Sequence, residues 1–188
     1  MPDTGITRRK FIGLLGAAGM PRSARRRGAR AGTAKQKAAP GYQALTAEQV
    51  STLTAFAEQM IPADADAGAR EAGVGHYIDH ILAGAQRSKL PRYAAGLAAL
   101  DQTARSLHGR KFAQCTFQQQ TALCQALEQG RAPGAAWRKI SGQRFFTLAW
   151  RHVLEGYYGA PANGGNAGYA SWHMTGFLPP RRRRAVKR

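Results

Sequence analysis

Acidic residues are scarce: ten Asp and Glu stand against 28 Lys and Arg in 188 residues, a formal net charge of +18. Such a balance suits a nucleic-acid binder, but its distribution removes the body of the chain from that role. Residues 1–40 and 181–188 hold 16 of the basic side chains, which leaves 12 basic against 9 acidic groups over residues 41–180, a net of +3. Arginine tracts hold phosphates without sequence preference, so nucleic-acid binding through the basic tails is a competing function, read here as incidental. Cysteine is scarcer still. Two residues, Cys115 and Cys124, exclude a disulfide scaffold, and no C-x-x-C-H motif attaches a haem. On one helix their spacing corresponds to about 13 Å at ~1.5 Å per residue, beyond the reach of a bridge. Two buried or half-buried thiols are expected. Cys124 belongs to an apolar stripe, while Cys115 is free to point elsewhere, with a bond to a partner as its alternative. Strict apolar/polar alternation is absent as well, so nothing reads as a half-buried strand.

Long apolar runs are also missing. The stretch over residues 11–20 has ten residues, where a helix crossing a bilayer needs ~20; a permanent membrane anchor is not expected. What precedes it is informative: T-R-R-K-F-I-G, residues 7–13, places Arg8, Arg9 and Phe11 ahead of an apolar core in the pattern of a twin-arginine export signal. An amphipathic first helix is the competing reading. Gly13, Gly16 and Gly19 imitate a phosphate loop, but no strand precedes them. Ala29-Arg30-Ala31 supplies an A-x-A cleavage pattern, crowded by Arg22, Arg25, Arg26 and Arg27. Residues 1–40 are therefore read as signal and basic flexible segment, 41–180 as a helical domain, and 181–188 as a basic disordered tail.

From residue 42 to residue 150 apolar positions recur at three- and four-residue steps, which predicts an all-α fold of about five helices. Thr46 with Gln49 forms a capping box before Val50, Leu53, Phe56, Ala57 and Met60, stopped by Pro62. A second helix carries Val74, Tyr77, Ile78, Ile81 and Leu82 and stops at Gly84. A third opens at Pro91 and carries Tyr93, Leu97, Leu100, Ala104 and Leu107. Thr116 and Gln119 repeat the capping box before Phe117, Leu123, Cys124 and Leu127, and a fifth helix spans about 141–155.

Residues 156–177, GYYGAPANGGNAGYASWHMTGF, change character. They are too irregular for a regular helix and too aromatic for disorder, so an ordered loop packed on the helices is expected. Gly164 and Gly165 beside Asn166 suit positive-φ turns. Tyr157, Tyr158, Trp172 and Phe177 offer large amphipathic surfaces, either for the chain's own core or for a partner, since Tyr and Trp are enriched in interfaces.

Four segments resemble the gluconate 2-dehydrogenase subunit 3 family, the small subunits of bacterial flavin-dependent sugar dehydrogenases. They are the twin-arginine signal; LTAEQVSTLTAFAEQMIPAD, residues 45–64; AREAGVGHYIDHILAG, residues 69–84; and FFTLAWRHVLEGYYGAPANGGNAGYASWHMTGF, residues 145–177. The last, with its E-G-Y-Y, its P-x-x-G-G-N and its Trp six residues after Asn166, is the most specific. The family usually closes on Gly-Phe-Pro-Gly, whereas here Gly176-Phe177 run on into Leu178-Pro179-Pro180 and four arginines.

The resemblance implies a non-catalytic subunit with no cofactor of its own. FAD would sit in a partner flavoprotein of the glucose-methanol-choline type, with haem c in a cytochrome c subunit where one joins. The small subunit would carry its folded partner to the periplasm through the twin-arginine translocase, and meet the inner membrane only through the complex. Matched motif positions give the interface or its scaffold as Glu155, Gly156, Tyr157, Tyr158, Pro161, Gly164, Gly165, Asn166, Trp172, Gly176 and Phe177. A metal-dependent enzyme is the alternative: His76 and His80 share a helix face with Asp79 nearby, and His152 or Glu155 would have to supply the third ligand.

Overall fold

The computed structural model describes residues 38–177, all within the second of the chain's two units, Lys37–Arg188. Arg8, Arg9 and Phe11, and the tail after Phe177, lie outside the described residues. The fold is all-α, as the periodicity predicts. Its helices are α1 (Ala47–Met60), α2 (Val74–Ala83), α3 (Leu90–His108), α4 (Phe117–Glu128), α5 (Gly142–Tyr158) and the short α6 (Ala170–Thr175). No described helix is long and apolar enough to cross a membrane.

Helix starts follow local chemistry. The Thr46 and Thr116 hydroxyls accept the amides of Gln49 and Gln119, each 3.3 Å away, and both glutamines accept the cap amide in return. These reciprocal bonds satisfy donors that a helix start leaves without partners. Ser141 caps α5 through the Arg144 amide at 3.2 Å. α3 begins one residue before Pro91 and ends at Gly109, whose φ of 70° is the left-handed stop that glycine supplies cheaply.

α1 and α5 form the central pair, touching each other and each of α2, α3 and α4. Phe145 of α5 sits where they meet, with ring centroids 6.1 Å from Phe56, 6.1 Å from Tyr93 and 6.2 Å from Trp137. Gly96 of α3 permits this, because a Cβ there would overlap the Phe145 ring. Buried polar ties fix the remaining joins. Asp101 accepts the Thr52 hydroxyl at 3.1 Å and the Phe112 amide at 3.0 Å, and Gln59 donates to Gln120 at 2.9 Å.

Both cysteines are buried free thiols, as expected; the Cys115 Sγ lies 3.5 Å from the Lys111 carbonyl oxygen, and burial pushes both up in pKa. Two expectations need correction. Leu107 and Phe117 are about half exposed rather than core; each occupies the terminal turn of its helix. Residues 156–177 are not one loop. α5 runs on to Tyr158, two 3₁₀ turns follow at Pro161–Asn163 and Ala167–Tyr169, and α6 completes the segment.

Candidate docking face

The end of α5 and the turns after it are organised by one buried side chain. Asn166 is fully buried. Its amide donates to the Gly156 carbonyl at 2.8 Å, its Nδ2 donates to the Gly159 carbonyl at 2.9 Å, and its Oδ1 accepts the Ser171 amide at 2.9 Å. One residue thereby ties the last turn of α5 to the first turn of α6. Its φ of 46° is left-handed, a region that Asn tolerates better than most side chains. Gly165 is required by close approach rather than by φ: a Cβ there would collide with the Gly156 carbonyl. Gly164, at φ 91°, ends the first 3₁₀ turn, which Pro161 opens. The segment is also pinned to the turn that leads into α2, because the Ala167 amide donates to the Ala72 carbonyl at 3.0 Å.

This scaffold divides the motif residues into two sets. Gly156, Tyr157, Gly165 and Asn166 are buried. The Tyr157 hydroxyl donates to the Ala67 carbonyl at 2.7 Å, and a Cβ on Gly156 would sit 2.8 Å from the Tyr77 ring. Tyr158, 39% exposed, Phe177, 49% exposed, and the half-buried Trp172 face outward. The Trp172 indole donates to the Tyr158 carbonyl at 3.3 Å, and Phe177 packs edge-on against it with centroids 5.0 Å apart. Gly176, exposed and left-handed at φ 67°, ends α6 and turns the chain toward Phe177.

Tyr169 joins them, 50% exposed and 5.6 Å from Trp172 by ring centroid. The sequence reading passed over it, although an aromatic three residues before Trp172 is one helical turn away and carried the signal. Its φ of 60° places a bulky side chain in left-handed backbone, which is uncommon outside glycine. The result is a cluster of exposed rings on a locked backbone.

Titratable groups border this face. The Tyr77 hydroxyl donates to Glu155 at 3.1 Å, and burial together with that carboxylate pushes Tyr77 up to about 12. Glu155 also pairs with Arg151 at 3.3 Å. His152 is fully buried, its Nδ1 2.9 Å from the Tyr93 hydroxyl and its Nε2 without a partner; burial lowers its pKa, with Glu155 opposing.

The postulated metal ligands do not converge. Asp79 spends its carboxylate on the backbone amides of Gln43, Ala44 and Leu45, at 2.6, 2.9 and 2.8 Å. His76 is exposed and stacks on Tyr42 with centroids 4.5 Å apart, His80 is exposed, and His152 is fully buried with its Nδ1 on Tyr93. Among the described residues no three His, Cys, Asp or Glu side chains come together in a way that could hold an ion.

A family model described as gluconate 2-dehydrogenase subunit 3 matches residues 47–179, from the start of α1 past the ring cluster. The chain belongs to that family. No curated protein and no solved structure matches it. Membership makes it a subunit of a dehydrogenase complex, and the matched span includes every residue of the Asn166-centred turn.

Proposed function

We propose that this subunit-3 chain is a non-catalytic small subunit that binds a flavin-dependent sugar or polyol dehydrogenase of the glucose-methanol-choline type through the ring cluster beyond α5. The observation that carries the reading is the exposure of Tyr158, Tyr169 and Phe177 around Trp172 on a backbone fixed by Asn166. Rigid aromatic anchors lose little side-chain freedom on binding and dominate interface energetics. In this reading FAD belongs to the large subunit and haem c to a third, cytochrome subunit. The pair crosses to the periplasm folded, by the twin-arginine route through Arg8 and Arg9, and meets the inner membrane only as part of the complex.

Co-expression tests it. The large subunit is expected to co-purify with this chain, and its yield of exported active enzyme to fall when the chain is omitted. The triple variant Tyr158→Ser, Tyr169→Ser, Phe177→Ser should release the partner while keeping its helical circular-dichroism spectrum. Undiminished co-purification of that variant, or substrate turnover by the isolated small subunit, defeats the proposal. Secretion of an Arg8→Lys, Arg9→Lys double variant at the normal level defeats the export half alone.

A further inference from the structure

Among the described residues, positive φ occurs at eight glycines and at two other residues, Asn166 and Tyr169. Glycine adopts such backbone without a Cβ penalty, so the eight follow from their residue type. Asn166 is the kind of side chain that tolerates the left-handed region, and its two buried hydrogen bonds offset what strain remains. Tyr169, at φ 60° and ψ 29°, has neither excuse.

The position asks for a different residue twice over. As the residue that opens α6, Tyr169 gives the helix no side-chain cap, where Ser, Thr, Asn, Asp or Gly is preferred. Gly or Asn would take the left-handed backbone at less cost. The ring gains little within the chain in exchange. It is 50% exposed, and its aromatic contacts are with Trp172, at 5.6 Å between centroids, and edge-on with His173, at 6.3 Å. Those neighbours lie three and four residues on, so the contacts join no second element.

The other two exposed rings of the cluster stand on relaxed backbone. Tyr158 closes α5 in helical conformation, and at Phe177 the left-handed turn is taken by Gly176. Only Tyr169 holds its ring outward at the expense of its own backbone. A strained residue persists where the surrounding structure over-determines it, and such outliers point to function. The left-handed region is also narrow, so the ring's base is fixed in direction before any contact is made, and a preorganised anchor loses less freedom on binding.

We propose that Tyr169 is the specificity-determining anchor of the docking face: its ring is set toward the dehydrogenase's large subunit at a cost to the stability of the free chain, and contact with that subunit offsets the cost. This inference rests on the docking role proposed above and assigns which ring directs it.

Two measurements on the full chain test it. In urea titration of the isolated chain, Tyr169→Gly is expected to unfold at or above the wild-type midpoint and Tyr169→Ala below Tyr169→Gly, the reverse of the order inside a helix, where Ala is favoured over Gly. Co-expressed with the large subunit, both variants should weaken the complex at least tenfold, and more than Tyr158→Ser or Phe177→Ser alone. Tyr169→Phe keeps a ring on the same backbone and should restore both readouts. A Tyr169→Gly midpoint below wild type shows that the ring serves the fold itself and overturns the inference, as does a Tyr169→Gly complex weakened less than tenfold or less than by either of the other single variants. In those cases loss of binding in the aromatic triple variant leaves the docking role standing. If the wild-type pair forms no complex at all, the docking role fails and the anchor assignment with it.

Discussion

Asn166 carries more of the candidate interface than any ring on it. Its side chain makes two buried hydrogen bonds to backbone groups on either side of a left-handed turn, so truncation removes both and leaves the Ser171 amide and the Gly159 carbonyl to find water. Each such loss costs about 1–3 kcal/mol when the orphaned group stays buried. Asn166→Ala is accordingly expected to lower unfolding free energy by about 2–4 kcal/mol in urea titration. Asn166→Asp should not rescue it, since a carboxylate accepts the Ser171 amide but cannot donate to the Gly159 carbonyl. Rescue by Asp would show that shape rather than donation sets the turn.

His152 makes a different prediction at the same scale. Burial lowers its pKa in the folded chain below the ordinary value of 6.5, so the unfolded state takes up the proton more readily. Stability is whole above pH 6.5 and falls as pH drops from there toward the depressed folded-state pKa, with a slope of at most about 1.4 kcal/mol per pH unit for one proton. Denaturation midpoints between pH 7.5 and 5 measure it. His152→Leu should flatten that slope even though it leaves the Tyr93 hydroxyl without its hydrogen-bond partner and lowers stability throughout.

At the scale of elements, helix ends were the most legible feature, because a capping box is a local bond pattern that needs no tertiary partner. Both Thr–Gln boxes formed where the sequence places them. What periodicity could not show is where a helix outruns its neighbour. Leu107 and Phe117 obey the apolar spacing and still meet solvent, since burial depends on the facing element and not on the stripe. α6 was illegible for another reason: a six-residue helix entered through three left-handed residues, Asn166, Gly168 and Tyr169, has too few turns for a repeat. The α3–α5 join hid as well, because a mid-helix glycine reads as a weak helix former. In place, Gly96 is the seat of the Phe145 ring. Gly→Ala in an open helix gains about 1 kcal/mol of propensity, whereas overpacking a filled core costs about 1–3 kcal/mol. The ring is walled in by Phe56, Tyr93 and Trp137, so the steric cost wins. Gly96→Ala should lower the melting temperature, and Gly96→Ala with Phe145→Leu should recover part of the loss.

At the scale of the whole molecule, charge and shape belong to different parts of the chain. The motif residues gather around one turn, some buried in it and some outside it, because Asn166 bonds both sides of the turn and Gly165 lets it pass close to the Gly156 carbonyl. Which of them point outward was not legible, since Tyr157 and Tyr158 are adjacent in sequence and opposite in burial. The +18 charge gives no clue to that face. Sixteen of its 28 cations lie in residues 1–40 and 181–188, and the body between carries +3. Counterion release makes polyanion affinity fall steeply with salt in proportion to the cations engaged. Full-length protein is therefore expected to bind duplex DNA at 50 mM salt with a steep logarithmic salt dependence, and a chain limited to residues 41–177 to show none in the same gel-shift series. The same truncation should leave binding to the large subunit unchanged, because the ring cluster lies within it. If the truncated chain kept its DNA affinity, the phosphate contacts would have to come from the helical body, and a body of net +3 would then need a concentrated basic face that competes with dehydrogenase docking.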